Sequence, residues 1–600
     1  MPYSKTTFLF ILFFYVLSLF YFKNWDDFML DRGDTHGFYA YLPALFIHHD
    51  IENLRKTNLS RISNRHNYNS DYTPETIPER WIEAQIFNGK RVIQWNCGVA
   101  VMQFPFFMLS HLSAKIGGFR ADGYSLPYRL GLLFGNLFYV LLGFWWLRQL
   151  LLYYFNESVV SLTLLIIAFA TNLYVFSVFN GFMSHSYLFF LYVALMLSTH
   201  HFYTTVSSKS LILIGFITGL IVLTRPPDIW VVAISLLFGL YKWQDISKRF
   251  ILFWQKKGVI LLSFLAFLLP ISLQLIYWKH ITGNWIYYLY GEAQFDFTKP
   301  HLQIGLFSFK NGWLTYTPVM VLALLGFFSK KKNDFKIAAL IFTLGYVYTI
   351  YSWQILYYIN GLGSRPMVEA YGVLAIPLSI SLDFLIKNVW RLASTVLFIA
   401  FCSWLNIMQT YQYSIDMLVS EMSNFAFWRS TLGKTALDYN ALVALDSDEY
   451  QPTKPNQVVK TFYKNDFKDS LNGYQEVKAG LFFNLTNLKG RDVKGHKYLK
   501  FSLKANSPND TKVFNIFNKS LIVAHFRRGE KEIKYAFVKI EPKLGRELQI
   551  YAGKTNVWDD IVFYVNIPSN LDNEDNISCY VWNNNQFSIL IDDVNEELCD

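Results

Sequence analysis

The hydrophobic pattern of this chain changes character once. From residue 7 to 409 the apolar residues come in blocks of about 16–22 separated by polar joints, and such a block, wound as a helix, crosses a hydrocarbon core of roughly 30 Å. The blocks predict spans at 7–22, 129–150, 158–178, 183–203, 208–224, 228–241, 258–278, 314–329, 335–352, 371–386 and 391–409, about eleven in all. Beyond Gln412 apolar residues alternate singly with polar ones, which predicts strands. In "KYLKFSLKA" (497–505), Leu499, Phe501 and Leu503 point one way while Lys500, Ser502 and Lys504 point the other. "DDIVFYVNIP" (559–568) and "ISCYVWNNNQFSILIDD" (577–593) are similar, and the Asn583–Asn585 run marks a turn. The fold class expected is a polytopic α-helical membrane protein with a C-terminal antiparallel β-sandwich of about 140 residues. Residues 1–411 form the membrane domain, 412–455 a linker with some helix, and 456–600 the sandwich.

Composition agrees with the pattern: 53% of the 600 residues are hydrophobic and only 16% charged, which excludes an ordinary soluble chain. The net charge of +10 could suggest nucleic acid as a partner. The basic residues, however, gather at alternate joints: Arg148, Lys209, "YKWQDISKRFILFWQKK", "SKKKNDFK", and Lys387 with Arg391. That is the signature of membrane orientation, so the partner expected is membrane lipid and not nucleic acid. The basic joints are cytoplasmic, as is the N-terminus, and everything after about residue 410 is outside. Lys5 precedes the first apolar run and no small-residue cleavage site follows, so the first helix is read as retained. The parity of the joints leaves no room for a span at "CGVAVMQFPFFMLSHLSAKIGG" (97–118). That segment is read as an amphipathic helix lying in the interface, within one large outer loop (23–128).

The outer side then collects the chemistry. The first loop opens with Asp26, Asp27, Asp31 and Asp34; "FNGFMSH" brings His185, and "TRPPD" brings Arg225 and Asp228. Loop 279–313 brings Lys310, and "YYINGLGSRPMVEAY" brings Arg365 and Glu369. A charge at the bilayer centre costs roughly 2.5–3.5 kcal/mol, so these groups line a water-filled mouth or stand at helix ends. Asp26 and Asp27, hard against the first span, read as solvated interface charges. Asp34 suits a general base, and it equally suits a helix N-cap before "THGFYAYL". Gly361 and Gly363 leave backbone open beside Arg365, where a phosphate could be held bidentately, or Arg365 anchors a helix end at the headgroups. Arg225 is a second phosphate candidate or simply the partner of Asp228, and Arg129 and Lys310 are two more. His36 and His185 are either substrate contacts or packed histidines. Outer Trp, Tyr and Phe residues read as interfacial belts, although a groove for a lipid chain would use the same types. Cys579 and Cys599 could pair or stay free, and Trp558 and Trp582 read as core aromatics before sugar-stacking ones.

Several of these stretches come in an order that resembles the GT-C superfamily of membrane glycosyltransferases, such as protein O-mannosyltransferases and the bacterial lipid A aminoarabinose transferases. The carriers are "DRGDTHGFYAYLPALF", "CGVAVMQFPFF" continuing to "LPYRLGLLFGN", "GFMSHSYLFFLYVAL", "GLIVLTRPPDIW", "GLFSFKNGWLTYTPVMVLALLGFF" and "GSRPMVEAYGVLAIPL". The resemblance covers residues 1–410 and is nearest to a bacterial mannosyltransferase-like branch. It implies a polyprenyl-phosphate sugar as donor, and as acceptor a hydroxyl of a cell-envelope glycan, lipid or protein. The displacement would be inverting, on the outer face of a bacterial inner membrane. In such enzymes the first outer loop supplies an acidic pair followed by a Tyr. Asp34 matches the first acid, Thr35 stands in the place of the second, and Tyr39 follows. The Thr leaves open whether Asp31 substitutes and whether a divalent metal is held. Arg365, Arg225, Arg129 and Lys310 would serve the donor phosphate, and His36, Tyr39, His185 and Glu369 the substrates. The tail resembles jelly-roll carbohydrate-binding modules through "WDDIVFYVNIP" and "YVWNNNQFSILIDD". Two other functions compete: a lipid-linked glycan flippase, which would show internal repeats and charged spans, and a non-catalytic envelope scaffold.

Overall fold

The computed structural model describes residues 3–25, 30, 33–64, 72–77, 82, 84–288, 290–291, 293–355, 358, 361–447, 451–452, 457–509, 518–546, 548, 550 and 553–600. They fall into two compact units, residues 1–410 and 411–600. Five helices among the described residues are long and apolar enough to cross a membrane: Tyr3–Phe22, Gly98–Ile116, Leu126–Leu152, Lys257–Thr282 and Val389–Ser414. With five such helices the chain is a multi-pass membrane protein.

The segment 97–118, expected from the sequence to lie in the interface, forms the helix Gly98–Ile116. It is a continuous 19-residue helix with the length and apolarity of a span. Its seam with Leu126–Leu152 is built on a small-residue pair: a Cβ at Gly131 would collide with Ser110 and one at Gly135 with Phe106. Small residues four apart let two helix backbones approach closely, which is how helices associate in lipid. Gly215 and Gly219 on Ser208–Thr224 do the same against Ser263 and Phe267 of Lys257–Thr282.

The expected span 183–203 is the continuous helix Ser184–Thr205 and 208–224 is the helix Ser208–Thr224, while several others are shorter or interrupted; the expected number of about eleven is not confirmed. The stretch 158–178 breaks into Glu157–Phe169 and Leu173–Val178, with Asn172 at the break. The stretch 314–329 is divided into Trp313–Tyr316, Pro318–Met320 and Val321–Phe327, because Pro318 offers no N–H to continue a helix. At 228–241 a 3-10 turn, Pro226–Val231, precedes the short helix Val232–Leu237. The segment between Tyr3–Phe22 and Gly98–Ile116 carries helices Gly33–Tyr39, Tyr41–Phe46 and Arg55–Ser63, and then a hairpin of β1 (Gln85–Phe87) and β2 (Lys90–Val92). Asn88 and Gly89 turn that hairpin, both with positive φ, as a tight two-residue connection requires.

The second unit holds two antiparallel sheets around one apolar core. One sheet runs in the order β5 (Phe482–Lys489), β10 (Asn576–Asn583), β7 (Ser520–Arg528), β8 (Lys531–Lys539). The other runs β3 (Val458–Asn465), β11 (Ile589–Cys599), β6 (Tyr498–Asn506), β9 (Asp559–Asn566), with β4 (Gln475–Val477) also paired to β11. Leu499, Phe501 and Leu503 enter the core against Ile522, Ala524 and Phe526, as the alternation requires. Helices Phe425–Thr431 and Tyr439–Ser447 precede the strands. All four cysteines are free, so Cys579 and Cys599 form no disulfide. Cys579 lies on β10 and Cys599 on β11, which belong to different sheets. The reading of Trp582 and Trp558 as core aromatics is also corrected. Trp582 stacks on Phe482 outside the core, centroids 5.5 Å apart and 10° from parallel, and Trp558 is exposed beside Tyr474.

Candidate active site

Asp34 lies in the first turn of Gly33–Tyr39. Among the described residues its carboxylate is held by two side chains. The Trp95 indole Nε1–H donates to Oδ1 at 3.0 Å, and Arg365 Nη1–H donates to Oδ2 at 2.5 Å. Trp95 reaches Asp34 because Gly37, one helical turn on, has no side chain; a Cβ there would run into the indole ring. The Trp95 carbonyl in turn accepts the Tyr41 hydroxyl at 2.7 Å. The pair keeps partial access to solvent, with Asp34 24% and Arg365 15% exposed at the side chain.

Arg365 arrives on the 3-10 turn Arg365–Met367, at the end of a glycine loop. Gly363 has φ +68°, and a Cβ there would come 2.7 Å from the Tyr316 Cβ. Asn172, at the helix break, donates its amide to the Leu362 carbonyl at 2.9 Å and accepts the Tyr371 hydroxyl at 2.5 Å. The Tyr351 and Ser364 hydroxyls lie 2.7 Å apart. The loop is therefore tied down immediately before the guanidinium.

A second network gathers around two fully buried carboxylates, Asp228 and Glu369. Glu369 is fully buried; its Oε2 lies 2.9 Å from His185 Nδ1, and its Oε1 accepts Arg225 and, at 2.9 Å, the Tyr346 hydroxyl. Asp228, also fully buried, accepts the Tyr192 hydroxyl at 3.0 Å and lies 3.9 Å from Arg225 Nε. Burial pushes the Glu369 carboxyl above its ordinary range, while the Arg225 guanidinium pulls it back. Tyr290 and Tyr358 lie within electrostatic reach of both Arg225 and Arg365.

Of the residues singled out in the sequence, Asp34 and Arg365 meet directly, and Arg225, His185 and Glu369 meet in the inner network. Tyr39 is buried elsewhere, its hydroxyl donating to the Gly123 carbonyl and its ring 5.6 Å from that of Tyr124. His36 is buried with its ring 6.1 Å from the same tyrosine. Arg129 sits in the first turn of Leu126–Leu152, and Lys310 is exposed just beyond the helix Leu302–Phe307. Asp26, Asp27 and Asp31 lie outside the described residues. Within those residues no three His, Cys, Asp or Glu side chains converge as a metal site.

No protein-family model matches this chain, and no curated protein does. Among solved structures, the arabinosyltransferase EmbB from Mycobacterium smegmatis, determined by cryo-EM, is similar at 10% identity with a TM-score of 0.31. The alignment covers 91% of this chain and 66% of that one. So distant a likeness carries no functional weight, and the reading rests on the side chains. Sequence reasoning overlooked Trp95, Asn172, Tyr192 and Tyr346. For Asn172 a signal existed: "ATN" (170–172) interrupts an otherwise apolar block.

Proposed function

We propose that this chain is a GT-C-type membrane glycosyltransferase that moves a sugar from a polyprenyl-phosphate donor to an acceptor hydroxyl. The single observation that carries the reading is the Asp34–Arg365 pair: a carboxylate and a guanidinium 331 positions apart in sequence, in hydrogen-bond contact and partly open to solvent. A donor phosphate competes with Asp34 for the guanidinium, because Arg recognises phosphate and carboxylate oxygens alike. With phosphate on Arg365, the Asp34 carboxylate is released toward the acceptor. The acceptor O–H gives its proton to Asp34 as its oxygen bonds to the anomeric carbon. The bond from that carbon to the phosphate oxygen breaks, and the phosphate leaves paired with Arg365. One displacement inverts the anomeric centre.

In this reading Trp95 holds the other carboxylate oxygen, and the buried Glu369–Arg225–His185 network fixes the floor under the glycine loop. The acceptor is a glycan, lipid or protein of the cell envelope, reached on the outer face of a bacterial inner membrane. The test is transfer from radiolabelled polyprenyl-phosphate sugars in membranes, comparing the natural chain with Asp34→Asn and Arg365→Gln. Loss of transfer in both variants, with both still folded, is expected. Full activity in Asp34→Asn would overturn the assignment of the base. Absence of transfer from every donor, together with measurable lipid translocation, would favour a flippase.

A further inference from the structure

The joint "YKWQDISKRFILFWQKK" contains a helix, Trp243–Gln255, in which no residue is buried. Successive residues of a helix are about 100° apart, so Trp243, Ile246, Phe250 and Trp254 fall on one stripe. All four face away from the protein, from 46% exposed at Ile246 to 88% at Trp243. The flank of the helix beside this stripe is fastened down. Arg249 donates to the Tyr203 hydroxyl at 2.6 Å and to the Leu236 carbonyl at 2.7 Å, with its guanidinium 4.0 Å from the centre of the Tyr203 ring. An apolar stripe held outward by a fastened flank is unfavourable in water, since it leaves four large side chains hydrated.

Its surroundings identify what covers it. The helix runs directly into Lys257–Thr282, one of the five helices fit to cross a membrane, so it lies where such a helix enters the bilayer. The charges around the stripe are almost all positive: Lys242, Lys248, Lys256 and Lys257, with Asp245 turned back to accept the Tyr241 and Lys242 backbone N–H groups. Tyr241 also hydrogen-bonds Asp334, which brings the lysines of "SKKKNDFK" to the same edge. A basic amphipathic helix with Trp and Phe on its apolar side sits in the plane of the interface, its apolar stripe among acyl chains and its lysines among headgroup phosphates. We infer that Trp243–Gln255 is an in-plane membrane anchor that selects anionic phospholipid. The inference is independent of sugar transfer.

The experiment places spin labels on the full chain in nanodiscs. The native cysteines are all buried, so an introduced exposed cysteine is the site that reacts. Phe250→Cys and Ile246→Cys report the stripe and Lys248→Cys the polar side. In discs containing phosphatidylglycerol, labels at 246 and 250 should be shielded from an aqueous nickel relaxant, reached by oxygen, and lie about 5–10 Å below the phosphates. The label at 248 should stay in water. In discs of phosphatidylcholine alone, or after Lys256→Gln with Lys257→Gln, the stripe labels should become measurably shallower. Labels at 246 and 250 as open to water as 248 would overturn the anchor. Equal depth in both lipids and in the lysine variant would overturn the selection for anionic headgroups. Stripe labels shielded from both relaxants would mean a protein surface covers them, and would overturn the lipid assignment.

Discussion

Asp34 with Arg365, and Glu369 with Arg225, are the same two functional groups placed in different surroundings. Arg365 and Glu369 even share one short stretch, residues 365–369. The outer pair touches solvent and has one further described donor, the Trp95 indole. In the inner pair the carboxylate is sealed, with Glu369 fully buried among His185, Arg225 and Tyr346, while the Arg225 guanidinium is as exposed as that of Arg365. A half-open ion pair can trade one partner for an incoming anion at small loss, because water and the ligand share the task of solvation. A pair whose carboxylate is fully buried cannot, because removing its cation strands that carboxylate in a low dielectric. The outer pair is therefore built to exchange partners, and the inner one to stay as it is.

That contrast can be broken at either end. Asp34→Asn should lower transfer by about 10²–10⁴-fold, the usual worth of a positioned general base, while changing thermal unfolding in detergent little. If unfolding shifts as much as activity, the outer pair is structural after all. Arg225→Met should do the reverse. It leaves Glu369 and Asp228 buried without their cation and should cost about 3–5 kcal/mol of stability, read as a large fall in the unfolding temperature. An Arg225→Met chain of native stability would mean that Glu369 does not depend on this cation.

Two smaller changes sharpen the comparison. Trp95→Phe keeps a ring against Gly37 and removes only the N–H bond to Asp34. A hydrogen bond to a charged group is worth about 1.5–3 kcal/mol, so kcat should fall by roughly 10–100-fold with the substrate KM nearly constant. An unchanged kcat would show that the indole only packs. Gly363→Ala puts a side chain at positive φ and against Tyr316, and should cost about 1–2 kcal/mol. That loss should appear as weaker donor binding, measured as a raised KM, since this loop carries Arg365.

The sequence disclosed the parts of this architecture that depend on residue type and short-range period. Leu499, Phe501 and Leu503 announce their strand by alternation, and Asp34 and Arg365 stand out as charged groups beside long apolar blocks. What it concealed depends on partners distant in the chain. The association of Gly98–Ile116 with Leu126–Leu152 is carried by Gly131 and Gly135, whose role shows only when Ser110 and Phe106 lie against them. The break at Asn172 hides in an apolar block because its reason is the Leu362 carbonyl, far along the chain. Trp95 passes for one more interfacial aromatic until its indole is found on Asp34.

The clasp between Asn172 and the loop before Arg365 also orders events during synthesis. A ribosome that has delivered the first helices to the membrane has made Asp34, Trp95 and Asn172, but not the guanidinium that Asp34 needs. Until residues 361–371 emerge, Asn172 has neither the Leu362 carbonyl nor the Tyr371 hydroxyl to hold, and Asp34 stands without its cation. Closing so long a loop comes late, after local helices have formed. A chain cut short before residue 361 thus keeps most of its apolar helices while presenting a bare carboxylate and an unclasped asparagine. Those two groups distinguish an unfinished copy from a finished one.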